Sequence, residues 1–478
     1  MARPANPWDV RQQRQAGVGL ISDWTQMDID YPDGLPPALR RRAMLTLGLA
    51  VGISVLGTTL PNIALPSIAR DLGVSPAESI WVVNAFQIAM TVTLLPLASL
   101  GDSYGYRRVY LGGLIVFTLA SLGCAFVTTL PALTLGRVFQ GLGCAGITSV
   151  NSALVRQIFP RALLGQGVGF NALVVSTSLA LGPTISAGVL AIADWPWLFA
   201  VSVPVALVSL AMLRALPNPP GSGHRFDGIS AILNGLTFGL FVAGLDGLGH
   251  GQSRVLAGAT LLESFAAGYL FVRRQRSMAA PMLPVDLLRI PVFSLSVATA
   301  ICCYIAQTGA YVALPFLFQS RGASPIGIGL LITPWPLAGA LMAPLSGYLS
   351  DRFPAGLLGG IGLAAMAAGL LAVAMLGHSP AWWDVAWRMA LTGAGFSMFQ
   401  SPNNRLLISS VPRERSGAGS GMISTSRLLG QSTGAALVAV IFGLTEASGV
   451  DAGATAVLLM GVGFAVVAMG LSWARVMR

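Results

Sequence analysis

Side chains able to do chemistry are scarce in this chain, and they sit in unusual places. Three arginines (Arg137, Arg388 and Arg427) and three acids (Asp246, Glu263 and Asp384) fall within or at the ends of long apolar runs. A carboxyl carried into hydrocarbon has its pKa raised by desolvation, towards the range a proton carrier needs. Glu263 lies near the middle of its run and Asp246 near the end of another, which makes them the candidate proton carriers. An arginine in such a run is costly and needs a partner or a water-filled cavity. Enzymatic chemistry has no comparable footing. His224, His250 and His378 all read as loop residues, and there is no H-E-x-x-H, Walker-type loop or paired-carboxylate site. Cys124, Cys144, Cys302 and Cys303 lie inside apolar runs and fit neither a disulfide framework nor a metal site. We expect a protein that is not an enzyme and that carries no cofactor and no metal.

A second group of polar residues punctuates the same runs: Asn62, Asn84, Gln87, Gln140, Asn171, Ser176, Tyr304, Gln307, Tyr311, Trp335, Asn403 and Asn404. Asn84 and Gln87 are one helical turn apart, as are Tyr304 and Gln307. Such groups either line a substrate cavity or tie helices together, and their spacing alone does not choose between the two.

The elements that position these residues follow from composition. Only 10% of the 478 residues are charged, against about 25% in soluble domains. That is too few to coat a water-facing surface, and the mean hydropathy of +0.73 agrees. About 20 apolar residues are needed to cross the hydrocarbon. By that measure the chain contains about fourteen spans, near 44–65, 79–99, 109–128, 130–155, 164–192, 196–213, 228–248, 254–272, 291–317, 327–350, 355–377, 382–408, 415–443 and 452–474. Ser75-Pro76-Ala77-Glu78 reads as a capping box opening the second span. The expected fold is therefore an all-α membrane protein.

Charge placement sets the orientation. The net charge of +10 comes from 28 basic residues, all arginine. Twenty-two of them fall in the segments that share a side with the termini and three on the other side, which predicts cytoplasmic termini. The excess is thus a topology signal and does not call for nucleic acid. Residues 1–42 are polar and read as a disordered cytoplasmic tail. A first bundle of six helices spans 43–216, a linker with two accessory helices spans 217–290, and a second six-helix bundle spans 291–478. The turn Ala98-Ser-Leu-Gly-Asp102-Ser-Tyr-Gly105-Tyr-Arg107-Arg108 is echoed by Gly347-Tyr-Leu-Ser-Asp351-Arg-Phe-Pro354, each after the second span of a six-span block. Internal repeats of this kind mark secondary transporters.

Four motifs resemble the major facilitator superfamily, in its fourteen-helix drug:proton antiporter branch, and the resemblance extends from about residue 43 to the end. The 98–108 turn is similar to G-x-L-x-D-x-x-G-x-R/K-R/K, with Ala98 for the first glycine. Arg137-Val-Phe-Gln140-Gly141-Leu-Gly143 is similar to R-x-x-Q-G-x-G. Gly182-Pro183-Thr-Ile-Ser186-Ala187-Gly188 is similar to the G-P-x-x-G-G antiporter motif, with Ser186 and Ala187 in place of glycines. Leu56-Gly57-Thr58-Thr59-Leu60-Pro61-Asn62-Ile63-Ala64-Leu65-Pro66 is similar to L-D-x-T-x-x-N-x-A-L-P, with Gly57 where the family has aspartate.

This resemblance implies a major facilitator fold of two six-helix bundles plus two accessory helices. It implies that Asp102, with Gly105, Arg107 and Arg108, latches the two halves by facing the helix start near Ser416 and Gly417. It implies a proton-transfer role for Arg137, the alternative being a structural arginine bonded to backbone carbonyls. Gly182, Pro183 and Gly188 imply export. The expected function is an inner-membrane secondary transporter exporting small amphiphilic or drug-like molecules by proton antiport with alternating access. The alternatives are a dedicated exporter of one neutral or anionic metabolite, or a transporter without ordinary proton coupling. Expected partners are a small-molecule substrate, protons and the lipid bilayer, with the protein a monomer able to work with an adaptor and an outer-membrane channel. With Gly57 in place of the acid and arginines in the spans, neutral or anionic amphiphiles suit the cavity better than quaternary cations.

Overall fold

Inside hydrocarbon every backbone N–H and C=O must be paired within the protein, and helices do this segment by segment. The computed structural model describes residues 34–160, 163–218, 226–249, 254–278, 282–283, 285–350, 352–377, 380–411 and 416–475. Its long elements are all helices. The first bundle consists of α1 (Pro37–Asp71), α2 (Pro76–Tyr104), α3 (Tyr106–Cys124), α4 (Leu130–Ile158), α5 (Leu164–Ile192) and α6 (Trp197–Ala211). Two further helices follow, α7 (Gly228–Gly249) and α8 (Arg254–Gln275). The second bundle consists of α9 (Pro291–Ser320), α10 (Pro325–Ser350), α11 (Ala355–Ala374), α12 (Trp382–Ser409), α13 (Ser416–Leu444) and α14 (Val450–Ala474).

Twelve of these are long and apolar enough to cross a membrane. Of the other two, α6 is short, and α12 carries Asp384, Arg388 and Arg405 among its 28 residues. The expected box at the start of α2 is present. Ser75 Oγ accepts from the Glu78 amide at 3.2 Å, and Glu78 Oε2 accepts from the Ser75 amide at 2.8 Å. One boundary moves: α1 starts at Pro37, within the segment we had assigned to a tail ending at residue 42. Proline is well suited to a first helical turn, where its missing N–H costs nothing, and Arg40 closes that turn by donating to the Leu35 carbonyl. Residues 1–33 of that expected tail lie outside the described residues.

The two bundles repeat one packing pattern. In the first, α2 and α3 both lie against α4, α5 and α6 both lie against α1, and α3 touches α6. Eight helices later, α10 and α11 lie against α12, α13 and α14 lie against α9, and α11 touches α14. The halves meet symmetrically, α2 against α13 and α5 against α10. The accessory helices pair with each other, joined by the Arg274–Asp227 ion pair at 3.0 Å and by Ser264 donating to the Thr237 carbonyl at 2.8 Å. α7 then lies along α2 and α13, with Asn234 Nδ2 donating to the Val92 carbonyl at 2.6 Å.

The buried apolar residues show where the halves separate. At the end away from the termini one cluster joins both bundles, combining Leu60–Ile68 of α1 and Val82 and Val83 of α2 with Val312–Phe318 of α9, Ile328 and Ile332 of α10 and Phe442 of α13. At the end carrying the termini there are two clusters. One belongs to the first bundle, with Leu428 its single buried contribution from the second, and the other comprises Leu287, Phe293, Val297, Leu407, Val411 and Met422. The described core is therefore continuous across the halves at one end and divided at the other.

At the joined end, Thr184 Oγ1 of α5 lies 3.1 Å from Thr333 Oγ1 of α10. A protein carrying both Thr184→Cys and Thr333→Cys should cross-link under mild oxidation, because two side chains that close can meet disulfide geometry. After proteolytic nicking between residues 217 and 290, the halves of the double variant should run together on a non-reducing gel, and those of either single variant should separate.

Candidate functional site

The Arg137 motif works first as a packing device. Cβ atoms on Gly141 and Gly143 would collide with the Phe86 carbonyl of α2 and the Phe117 amide of α3. Only glycine lets α4 approach both neighbours at backbone distance, which is how helices associate where lipid offers no hydrophobic drive. The close approach buries Arg137 at 1% exposure. Its guanidinium donates to the Val82 carbonyl at 2.8 Å, to the Gly57 carbonyl at 3.0 Å and to Gln140 Oε1. The Phe86 ring lies 4.2 Å from it. Arg137 and Arg427 stand apart from the ion pairs Arg274–Asp227, Arg321–Asp451 and Arg388–Asp384. Of the two expected roles for Arg137, the geometry matches the structural one, an arginine satisfied by carbonyls. Gly57, where the resemblance led us to look for an acid, supplies one of those carbonyls. Gln140 also donates to Ser121 at 2.8 Å, so both ends of its amide are used inside the first bundle and it does not line a cavity.

The 98–108 turn joins α2 to α3 through Gly105, whose φ of +102° is strained for any other residue. Asp102 is exposed and accepts from the Tyr106 hydroxyl at 2.6 Å. Arg107 is half-buried, and Arg108 donates to the Tyr104 carbonyl at 3.5 Å. The side chains of residues 416–420, which were expected to face Asp102, lie outside the described residues, as does Asp351 of the echoing turn. In α5, Gly182 sits against Thr59 of α1, and the two departures from the motif are themselves contacts: Ser186 donates to the Leu60 carbonyl at 3.1 Å, and Ala187 packs on Gly329 of α10. Pro183 offers its carbonyl side to Gly329. Gly188 has open space around it, so close packing does not account for it.

The expected carboxylates are not in the interior. Glu263 lies on the exposed face of α8 beside Leu262 and Phe265, which corrects its reading as a buried acid: the helix turns its small residues Ala257, Ser264 and Ala267 inward. The Asp246 side chain lies outside the described residues. Asp384 is bound by Arg388 at 2.8 Å and by Trp387 Nε1 at 3.0 Å. Among the described residues, the central stretches of α1, α2, α4, α5, α9, α10 and α13 hold no acid.

The polar candidates divide into two groups. Asn403 and Asn171 are ties. Asn403 donates to the Ser296 carbonyl at 3.3 Å and accepts from Arg475 at 2.7 Å, and Asn171 accepts from Asn151 at 2.9 Å. Others keep unpaired atoms: Asn62 Oδ1, both amide atoms of Asn84, Gln87 Oε1 and Trp335 Nε1 are buried without a partner. Trp335 rests on the Tyr311 ring, with centroids 4.7 Å apart. Tyr304 accepts from Gln400 at 2.9 Å, while Gln307, Tyr311 and Asn404 are half-buried. Buried polar atoms normally find partners, so this unpaired set on α1, α2 and α10 is where a polar ligand gains most.

One residue that the sequence located in a span but left without a role is Arg427 of α13. Its Nε is buried and, among the described residues, without an acceptor. The adjoining Leu428 carbonyl and Ser432 hydroxyl meet Thr91 of α2, the hydroxyls 2.7 Å apart. Arg427 therefore stands beside the α2–α13 crossing, between the two halves. An apolar groove of about 380 Å³ lined by Leu97, Leu100, Val109 and Val116 lies elsewhere, on the flank of α2, α3 and α4.

With this geometry in view, the comparisons with known proteins are direct. The chain matches the Major Facilitator Superfamily over residues 47–435, and a second match covers 296–478, the second bundle by itself. The chain belongs to the Major Facilitator Superfamily. As a superfamily member it is a multi-pass inner-membrane secondary transporter of small molecules and not an enzyme. It is 52% identical over 414 residues to the uncharacterized transporter YebQ of Escherichia coli K12, covering 86% of this chain and 90% of that one. It is 31% identical over 410 residues to the multidrug resistance protein Stp of Mycobacterium tuberculosis, covering 84% and 76%. Its fold matches a bacterial homolog of the human lysosomal transporter Spinster in an inward-facing, unoccupied crystal structure. The TM-score is 0.67 at 16% identity, over 92% of this chain and 97% of that one.

Two substitutions test the Arg137 site. Gly141→Ala should lower stability by about 1–3 kcal/mol, because the backbone carbonyl it meets cannot move aside. Arg137→Lys should cost about 1–3 kcal/mol, since one ammonium cannot serve carbonyls on two helices and leaves buried acceptors unpaired. Thermal melts of the purified protein in detergent, followed by the loss of monodisperse protein, would read both.

Proposed function

We propose that this superfamily member exports small amphiphilic, drug-like molecules by alternating access, and that it belongs to the fourteen-helix antiporter branch. The observation that carries this reading is the asymmetry of the core, joined across the halves at one end and divided at the other. In this reading the arginine-rich termini are cytoplasmic, the divided end is therefore the cytoplasmic one, and the protein stands inward-facing, ready to load. The α5 motif supports export, because Pro183, Ser186 and Ala187 sit in the contacts that must part for release outside. The homology to a protein named for multidrug resistance supports the same substrate class. In this reading Asp102, with Gly105, Arg107 and Arg108, holds the halves together when the cytoplasmic end closes. The protein works as a monomer, and an adaptor with an outer-membrane channel can extend its path.

Proton antiport is the energy source in this reading, with Asp246 as the acid left to carry it once Glu263 is turned to the outer face of α8, and Arg137 as a fixed charge within the first bundle. A second reading, transport without ordinary proton coupling, is favoured by one observation: among the described residues no carboxylate lies in the centre of the helices that line the halves.

Uptake into inverted membrane vesicles, with and without an imposed pH gradient, decides between them. Gradient-dependent uptake that a protonophore abolishes is the outcome expected for antiport, and uptake indifferent to the gradient leaves the second reading standing. Glu263→Gln should retain gradient dependence, because the side chain faces away from the interior; a tenfold loss would place the carrier on α8 after all. Asp102→Asn should lower the maximal rate at least tenfold with less than a threefold change in the half-saturating concentration. A normal maximal rate in Asp102→Asn would remove the latch role.

A further inference from the structure

A guanidinium between two moving halves can be satisfied by the protein, by water or by cargo. The two arginines near the axis of this protein differ in this respect. Arg137 is closed off at 1% exposure, and its donors are occupied by carbonyls and Gln140. Arg427 is only half-buried, yet its Nε is removed from solvent and has no acceptor. Charged groups inside a membrane protein mark substrate or ion pathways when they are not paired.

The surroundings of Arg427 define what it would accept. One turn further along α13, Gly430 lets the helix close on α9 at Ile301 and Tyr304, so Tyr304 stands beside the arginine and presents a phenol whose oxygen already accepts from Gln400. On the α4 side, the Cys144 thiol is engaged by the Ser54 carbonyl at 3.8 Å and the Met90 sulfur at 3.9 Å. On the α2 side, Thr91 is committed to Ser432 and Leu428. None of these groups is an anion at neutral pH, so among the described residues Arg427 has no counter-charge at the meeting of the halves. A cation entering there meets repulsion in a medium of low dielectric, and a planar anion meets a fork of donors. The phenol ring of Tyr304 and the edge-on Phe396, centroids 5.8 Å apart, add an aromatic wall.

We infer that Arg427 is the substrate-recognition residue of the central cavity, and that it selects aromatic amphiphiles bearing a carboxylate or similar oxyanion. This rests on the transporter reading above and narrows it: the cargo is anionic, and organic cations are disfavoured.

The test separates binding from transport. Full-length protein in nanodiscs is titrated against carboxyfluorescein, an aromatic polyanion, and against the cationic dye ethidium, with fluorescence anisotropy as the readout. Wild type should bind carboxyfluorescein at least tenfold more tightly than ethidium. Arg427→Gln should weaken carboxyfluorescein binding at least tenfold without weakening ethidium, and Arg427→Lys should recover most of the loss. If Arg427→Gln does not purify as a folded protein, competition on wild type serves instead: benzoate should displace bound carboxyfluorescein, and tetraethylammonium at equal ionic strength should not. Equal weakening of both dyes, unchanged anion affinity in Arg427→Gln, displacement by both competitors, or wild type that prefers ethidium or binds neither dye would each overturn the inference. Energised carboxyfluorescein uptake into inverted vesicles is scored separately. Binding without uptake counts against the transporter reading and leaves the anion site standing.

Discussion

Backbone-to-backbone contact holds this protein together. In lipid the tails are as apolar as leucine, so helices associate by van der Waals packing and hydrogen bonds and not by escape from water. α4 shows how far that goes. Gly141 and Gly143 bring it onto the backbones of α2 and α3 at once, and in the second bundle Gly393 and Gly395 of α12 do the same against Trp335 of α10 and Gly362 and Met366 of α11. The two bundles are thus built around the same three-helix contact. The remaining helices, α1, α5 and α6 in one half and α9, α13 and α14 in the other, complete each unit in the same arrangement.

That contact also determines what the buried arginines can be. Because α4 lies so close to α2, the Arg137 guanidinium finds the Val82 and Gly57 carbonyls within reach and needs no carboxylate. A charge satisfied in this way ties α4 to α2 and α1 within one bundle. Arg427 is placed differently: α13 belongs to the second bundle by its packing on α9, yet touches α2 of the first, so the residue stands near the boundary between the halves. Two arginines of identical chemistry therefore differ in their surroundings, one satisfied by carbonyls and one with an unpaired buried Nε, and the difference lies in how near the neighbouring backbone comes.

The joined and divided ends of the core express the same economy on a larger scale. Residues of both halves share one apolar cluster where α5 meets α10 and α1 meets α9, with Ser186 and Ala187 making contacts at positions where we had expected glycine. At the other end the first half's cluster takes in only Leu428 from the second, whose own buried residues form a separate cluster. Small residues at the joined end allow close approach without large interlocking side chains.

Much of this was legible in the sequence. Helix count, order and most boundaries follow from apolar run length, because the thickness of the hydrocarbon sets the length of every span; the start of α1 at Pro37 was missed because Arg40, Arg41 and Arg42 interrupt the apolar run and only the cap geometry includes them in the helix. The repeat was visible as two similar turns, and the capping box at Ser75 could be read residue by residue, since both depend on neighbours in the chain. What the sequence could not decide was which polar residue faces what. Glu263 looked like a buried acid and lies on the outer face of α8; Gln140 and Asn403 looked like cavity groups and are spent on ties within their bundles; Arg427 carried no signal beyond its position in a span. In a helix that is apolar on every side, periodicity does not tell lipid from protein from cavity. That assignment is made by the helices packed around it, and only the tertiary structure contains them.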